Sequence, residues 1–313
     1  MQLSIICPTY NEINYIEKVC LSLIANDGIE KEILFADGGS NDGTREKIIE
    51  LSKQFNNVYL IDNPHKTATH GFNVAFKHAK GKYIAFVGAH AEYAADYFKH
   101  AVFYLDKNEC DAVGGPLKQA GKTSQGSAIA LVMSSKFGVG NTEFRTMQEK
   151  MYVDSVAFAV YKREIFEKAG LMDVSLKVNQ DDEFHYRINK LGFRILMVPE
   201  MQATYYVRSN LNSLFKQYFN YGLYKPLVFK KVGGSIRIRH IIPSLFVIYL
   251  LLFPLAFYFN LLLFPLLLYI VLISTVSLSF NTDFKIKLLC IPVFPVLHIS
   301  YGIGFILGLF KKG

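Results

Sequence analysis

The sequence predicts an α/β domain built on an open, mostly parallel sheet, followed by a C-terminal part that crosses a membrane. Short apolar runs alternate with helical spacing from Leu3 to Val87, and each run ends in turn or polar residues. Charged and apolar residues intermix from Met1 to about His240, whereas no side chain from Ile241 to Phe280 carries a full charge. The 313 residues are 51% hydrophobic and only 19% charged, more apolar than one soluble domain of this length requires.

Leu3 to Cys7 is an apolar run closed by Pro8, and Glu32 to Ala36 is another closed by Asp37-Gly38-Gly39; both read as buried parallel strands. Between them Ile16, Val19 and Leu23 give Tyr15 to Ile24 a helical stripe. The alternation continues with a helix near 44–55, a strand at Val58 to Ile61, a helix near 71–79 and a strand at Tyr83 to Val87. Ligands of such sheets sit beyond the carboxyl ends of the strands, at Pro8, Asp37 and Gly88 here. From Ala112 to about Tyr206 the pattern reads as mixed α+β, making the sheet a mixed one. A Gly-Gly-Pro turn is expected at 114–116, a polar Gly-rich stretch at 121–140 and a helix near 183–191. No repeat or linker separates the halves, so one globular domain is expected over 1–225, a basic juxtamembrane segment over 226–240 and a membrane region over 241–313.

That region holds three apolar segments, 241–259, 261–280 and 288–310. Each approaches or exceeds the roughly 20 residues that cross about 30 Å of hydrocarbon. Only Asn260 parts the first two, which suggests a tight hairpin or an element broken at Pro254 and Pro265. Lys230, Lys231, Arg237 and Arg239 before the first segment, and Lys285 and Lys287 after the second, place both flanks in the cytoplasm. A third crossing would leave Lys311 and Lys312 outside, against that bias, and Pro292 and Pro295 also allow a re-entrant course.

The N-terminus lacks a basic region and a long apolar run, so no cleaved signal is expected and the globular part should stay cytoplasmic on an inner or plasma membrane. Cys7, Cys20, Cys110 and Cys290 lack paired spacing, which argues against a zinc site or disulfide framework. The net charge of +8 fits anionic lipid or phosphorylated ligands, and the adjoining apolar segments favour lipid over nucleic acid.

Three polar clusters fall at expected strand ends or helix starts: Pro8 to Glu12, Asp37 to Gly43, and Gln180 to Glu183. Each alone reads as a solvated turn or cap. Together they suit a nucleotide, because Asp37 can reach a base edge while Gly38 and Gly39 let backbone approach the ribose. Other nucleotide signatures fail on spacing: Gly38 to Gly43 lacks the G-x-G-x-x-G order, and Gly115 to Gly121-Lys122-Thr123 has one residue too many for a P-loop.

Ile6-Cys7-Pro8-Thr9-Tyr10-Asn11-Glu12 and Phe35 to Thr44 resemble the opening of the inverting family-two glycosyltransferases. Gly88 to Tyr93, Val113 to Pro116, Phe137 to Asn141 and Asn179 to Phe184 are similar to the succinoglycan-type glucosyltransferase branch, as are Gln217 to Gly222 and His298 to Gly304. The resemblance covers nearly the whole chain. It implies a single-domain nucleotide-diphospho-sugar transferase fold of the GT-A type. By motif, Pro8, Thr9, Glu12 and Asp37 would hold the nucleotide, and an Asp-x-His pair would bind a divalent cation, Mn2+ or Mg2+, that bridges the diphosphate. Here Gly88 stands at the first position and His90 at the last. Imidazole with hard diphosphate oxygens remains a competent shell, and Glu92 is a candidate substitute for the lost carboxylate.

Geometry and resemblance both point to Asp181 as the catalytic base. On a helix from Glu183, the residues Phe184, Ile188 and Leu191 form an apolar stripe that Asp181 extends, while Glu183 can pair with Arg187 one turn on. The family's base position, six residues before that arginine, also falls on Asp181. The expected reaction is a single inverting displacement in which Asp181 takes the proton of an acceptor hydroxyl. The leaving diphosphate needs neutralising, by metal at His90 and by Lys66 or Arg208. Asp182, Arg208, Gln217 and Tyr221 are candidates for acceptor or diphosphate contacts. Gln217, Tyr218, Tyr221 and Tyr224, interleaved with lysines, suit the headgroup layer, where a lipid-linked saccharide acceptor would be met. The expected activity is transfer of a sugar from a nucleoside-diphosphate sugar, with UDP-hexose suggested by resemblance. Gly88 keeps open a catalytically weak sugar-nucleotide-binding scaffold of a polysaccharide synthesis complex, and other nucleotide-dependent chemistry at the membrane is the remaining alternative.

Overall fold

A computed structural model describes residues 1–26, 28–140, 149–233 and 237–311. Asn141 of the expected glycine-rich motif and Lys312 of the basic tail lie outside the described residues. The chain forms two compact units, one of Met1–Lys118 with Glu143–Tyr205 and one of Gln119–Thr142 with Tyr206–Gly313.

The first unit opens as the apolar runs require. β1 (Leu3–Thr9), β2 (Lys31–Asp37), β3 (Val58–Asp62) and β4 (Tyr83–Phe86) are parallel, with α1 (Ile16–Ile24), α2 (Thr44–Gln54) and α3 (Ala68–His78) in the crossovers. β5 (Ala91–Tyr93), α4 (Tyr97–Asp106) and β6 (Ala112–Gly115) follow. β7 (Leu117–Ala120) then leads into the second unit's α5 (Ser124–Met133) and α6 (Lys136–Val139). Back in the first unit lie β8 (Met151–Tyr152), β9 (Ala157–Lys162), α7 (Glu164–Ala169), α8 (Gln180–Lys190), β10 (Ile195–Met197) and β11 (Ala203–Tyr206). The main sheet has the order β3-β2-β1-β4-β9-β6-β10-β8, mixed because β9 and β8 run antiparallel to their neighbours.

Strand alternation divides the core into two layers. Leu3, Ile5 and Cys7 of β1 pack with Val19 and Leu23 of α1, Ile48 of α2 and Phe98 of α4. Ile6 faces the opposite layer with Phe72 of α3, Phe166 of α7 and Phe184 and Ile188 of α8. β2 is buried along its whole length, as a strand covered by helices on both faces must be. Burial pushes the Cys7 thiol well up and that of Cys20 to about 12, so both are inert packing groups.

Three local expectations are corrected. Gly114 and Gly115 lie in β6, paired with β9 and β10, rather than in a turn, and glycine at 115 leaves room for the Met201 carbonyl oxygen, 1.7 Å from where a Cβ would be. The polar Gly-rich stretch contains α5, capped by the Thr123 hydroxyl, which accepts from the Gly126 N–H. Leu191 is not part of the buried stripe. It caps the end of α8 with 53% of its surface exposed, and the buried face is Glu183, Phe184, His185 and Ile188.

In the second unit the long α9 (Leu211–Val232) precedes α10 (Ile238–Leu252), α11 (Leu263–Ser279) and α12 (Phe284–Phe310). Short 3-10 turns at Phe253–Phe257 and Asn260–Leu262 break the chain where Pro254 and Asn260 intervene. Ile238–Phe257, Asn260–Ser279 and Phe284–Phe310 are long and apolar enough to cross a membrane. The last is one helix that continues through Pro292 and Pro295. α12 packs on α9 through glycines: a Cβ on Gly304 would lie 2.1 Å from the Phe219 carbonyl oxygen.

Candidate active site

The parallel register aligns the carboxyl ends of three strands, with Thr9 opposite Asp37 and Asp37 opposite Asp62. The loops beyond them are laced together. Gly38 N–H donates to the Thr9 carbonyl at 2.8 Å, Asn11 N–H to the Ser40 hydroxyl at 2.9 Å, and Glu12 N–H to the Thr44 hydroxyl at 2.8 Å. Asp42 accepts from the Thr44 hydroxyl and from the Ile13 N–H. Burial raises this carboxyl, but those hydrogen bonds outweigh it and hold Asp42 below the usual carboxylate range. A side chain at Gly38 would meet the Lys66 Cα at 3.1 Å and the Tyr10 ring at 3.2 Å, so glycine is what lets the three loops close together.

Asp37 is 1% exposed, and its carboxylate is engaged: it accepts from Gly39 N–H at 3.1 Å, from Ser40 N–H at 3.2 Å and from the Ser40 hydroxyl at 2.5 Å. The guanidinium of Arg45 joins it at 3.3 Å and reaches Asp62 at 2.7 Å. Sequence reasoning missed Arg45. Its signal was the second residue of a helix that starts just after the Asp-Gly-Gly-Ser loop. Thr9 is buried and donates to the Cys7 carbonyl, and Pro8 lies against α3, 3.1 Å from where a Cβ on Gly71 would be. Lys66 is exposed in left-handed backbone with its ammonium 5.9 Å from the Tyr10 ring centre.

His90 and Glu12 meet directly, with Nδ1 3.1 Å from Oε1. Both side chains remain partly open, at 24% and 20% exposure. The His90 ring meets the Tyr205 ring edge-on at 5.0 Å. Glu92, one strand step on, is turned to Lys18 at 2.5 Å. Among the described residues no three His, Cys, Asp or Glu side chains gather as a metal shell.

Topology sets Asp181 at the same sheet edge. β10 runs parallel to β6, and α8 returns to its start through the short turn at 191–194. The amino end of α8 therefore lies about 16 Å up the helix, at the carboxyl edge. The approach to α8 is sewn to α3 there: Thr69 donates to the Leu176 carbonyl at 3.1 Å, and Asn73 exchanges two hydrogen bonds with Met172. Asp181 is half-buried and accepts from the Asp182 N–H at 2.9 Å. Its charge helps burial to hold the Tyr161 hydroxyl far above the usual range, after desolvation itself. Asp182 is half-buried beside it. Glu183 is buried and grips Arg187 at two points, 2.8 and 2.9 Å, and Arg187 in turn donates to the carbonyls of Ala169 and Leu171. Arg208, exposed, and Gln217, which donates to the Tyr221 hydroxyl at 3.0 Å, belong to the second unit.

Residues 4–170 match glycosyl transferase family 2. The chain belongs to this family. The succinoglycan biosynthesis protein ExoA of Rhizobium meliloti (strain 1021) is 31% identical over 242 residues, 76% of this chain and 73% of that protein. The dolichyl N-acetyl-alpha-D-glucosaminyl phosphate 3-beta-D-2,3-diacetamido-2,3-dideoxy-beta-D-glucuronosyltransferase of Methanococcus voltae is 28% identical over 99% of this chain and 97% of its own length. Among solved structures, the mannosyltransferase PcManGT of Pyrobaculum calidifontis, in complex with GDP-Man and Mn2+, superposes with a TM-score of 0.64 at 17% identity, over all of this chain and 88% of that one. That likeness shows the fold, the GT-A nucleotide-sugar transferase fold with apolar C-terminal helices. The protein is a glycosyltransferase with three helices long and apolar enough to cross a membrane.

Proposed function

We propose that this glycosyltransferase moves a hexose from a UDP-sugar to a lipid-linked saccharide, with inversion, at the cytoplasmic face of an inner or plasma membrane. The observation that carries the chemistry is Asp181, a half-buried carboxylate opening α8 at the sheet edge where Thr9 and Asp37 end their strands. A base there has what a single displacement requires: one carboxylate to take the acceptor proton, with no nucleophile for a covalent sugar intermediate. Pro8, Thr9, Glu12, Asp37 and Lys66 would line the donor nucleotide. Asp37 would hold the shape of that loop, since it accepts from the Gly39 and Ser40 amides. Asp182, Arg208, Gln217 and Tyr221 would serve the acceptor or the diphosphate.

His90, whose Nδ1 lies 3.1 Å from Glu12 Oε1, would be the imidazole that holds a divalent ion. When bound, Mn2+ or Mg2+ would offset the charge of the leaving diphosphate. Basic residues flank the apolar helices at Lys230, Lys231, Lys285 and Lys287, which supports the cytoplasmic orientation. A lipid-linked acceptor accords with three helices able to cross a membrane.

The test incubates membranes carrying the protein with labelled UDP-hexoses, polyprenyl-diphosphate saccharides and Mn2+. Lipid-soluble label that disappears with Asp181→Asn supports the reading. Heat protection by UDP with no transfer from any donor would instead support the scaffold, which the glycine at position 88 favours.

A further inference from the structure

Other helices of the second unit flank α12 along most of its length. The Cys290 thiol reaches the Ala128 carbonyl of α5 at 3.7 Å, and His298 donates from Nε2 to the Phe137 carbonyl of α6 at 3.1 Å. Farther on, Gly304 and Gly308 lie against the Phe219 and Leu223 carbonyls of α9, where a Cβ would clash. At the end of α12, Lys230 of α9 donates to the Leu309 and Lys311 carbonyls, and the Lys311 ammonium stands 4.0 Å from the Tyr224 ring centre. These contacts run from 290 to 311, about 32 Å of helix and as much as the thickness of a hydrocarbon core.

Those partners do not suit hydrocarbon. Lys136 beside Phe137, Lys216 and Asn220 near Phe219, and Lys230 are all exposed. His298 is one residue past the middle of α12, so an upright α12 would hold Lys136 and the non-helical backbone before α6 near the bilayer midplane. Ionisable side chains and lipid-exposed irregular backbone are both costly there. A crossing would also put Lys311 on the face opposite Lys285 and Lys287, although Lys311 is held beside Lys230, which precedes the first apolar helix.

The other two apolar helices follow α12. α11 runs beside it in the opposite sense, with Lys287 donating to the Leu278 carbonyl at 3.0 Å and the Tyr269 hydroxyl donating to His298 Nδ1 at 2.9 Å, so the two share one inclination. α10 meets α12 where Gly302 lies against the Pro243 carbonyl. The turn that joins α10 to α11 exposes Phe257, Tyr258, Phe259 and Leu261 and has no charged residue to hold it in a far headgroup layer. The Tyr249 hydroxyl donates to the Leu262 carbonyl, pairing a backbone group that water would not reach in hydrocarbon.

We infer that the three apolar helices form a one-sided membrane-binding surface and that none of them crosses the bilayer. α12 lies along the membrane at headgroup depth, with α5, α6 and α9 on its water side, while α10 and α11 face the acyl chains of a single leaflet. Lys230, Lys285, Lys287 and Lys311 then all stand at the rim of that surface, where anionic headgroups attract them. That the leaflet is the cytoplasmic one rests on the orientation proposed above; the one-sided placement does not.

Membrane-impermeant acylation of lysines in the full-length wild type, read by mass spectrometry in sealed vesicles of either orientation, tests this without a variant. Expected is modification of Lys230, Lys285 and Lys311 from the cytoplasmic face and of none of them from the outer face. Lys311 modified from the face opposite Lys285 means that α12 crosses, and overturns the inference. All three modified from the outer face alone would keep the one-sided placement and overturn the orientation proposed above. Phe257→Cys in the exposed turn supplies a second measurement, with the wild type, whose Cys7, Cys20, Cys110 and Cys290 are buried, as the baseline. An impermeant maleimide should label it from neither face until detergent dissolves the membrane. Labelling from the outer face shows a hairpin that crosses, labelling from the cytoplasmic face shows a turn outside the lipid, and either result overturns the inference.

Discussion

The guanidinium of Arg45 stands 3.3 Å from the buried carboxylate of Asp37 and bonds Asp62 on the next strand at 2.7 Å. The two acids hold Arg45 above its ordinary range, first through the hydrogen bond to Asp62 and, against some loss from burial, through the bond to Asp37. Arg45→Met keeps the aliphatic stem and removes the guanidinium bonded to Asp37. Because Arg45 is one-third exposed, the expected loss is about 1–2 kcal/mol rather than that of a fully buried pair. A lower melting temperature together with weaker UDP protection is the expected result; unchanged melting would show that the loop amides alone hold Asp37.

Two of the three acids that open α8, Asp181 and Glu183, should separate by function. Asp181→Asn is expected to lower turnover by roughly 10²–10⁴-fold, as loss of a general base does, while UDP still protects against heat. Glu183→Gln should do the reverse. It breaks a buried two-point pair to Arg187 and should cost about 2–3 kcal/mol of stability with a much smaller effect per folded molecule. Turnover and UDP-dependent melting of the two variants, measured side by side, check this.

The contrast also marks where the sequence was legible. Helical spacing gave α8 and the pair of Glu183 with Arg187, since both depend on residues one turn apart. It missed that Glu183 would be buried, because Arg187 reaches carbonyls at 169 and 171 that only the folded chain brings near. β1 to β4 were readable within one or two residues, as buried parallel strands are continuous apolar runs. α5 was not, because Gly121, Gly126 and the surrounding serines suggest a loop, and its burial comes from contacts distant in sequence. The glycine at 88 was legible as a departure. A Cβ there would lie 2.9 Å from the ring of Phe158, seventy residues on, and no local pattern links the two.

His185 should make stability depend on pH. Its imidazole is fully enclosed between the Tyr161 hydroxyl at 2.8 Å and the Ser155 hydroxyl at 2.9 Å, and burial pushes its pKa down to about 3. Unfolded, it would titrate near 6.5. Between those values the unfolded chain binds the extra proton, so stability falls as pH falls, by at most about 1.4 kcal/mol per unit from this group. Above pH 6.5 it contributes no slope. Denaturation midpoints of wild type and His185→Gln at pH 7 and pH 5 should show the larger acid loss in wild type; equal losses would mean the imidazole is protonated in the fold.

Gly222 of α9 and Gly304 of α12 bring two helix backbones into contact. A Cβ on Gly222 would stand 2.2 Å from the Tyr301 carbonyl oxygen and 2.8 Å from the Phe305 nitrogen, and neither backbone atom can swing aside as a side chain would. Helices within a membrane unit gain little from hydrophobic burial, so close backbone packing supplies much of their association. Gly222→Ala should therefore cost about 1–3 kcal/mol, in the range of an overpacked core, despite adding one methyl group to a helix that alanine otherwise favours. Leu267→Ala on the exposed face of α11 removes more atoms and should cost less. Thermal aggregation of the two variants in the same detergent decides the matter: if Gly222→Ala melts with wild type, the two helices are not held by their glycine contact.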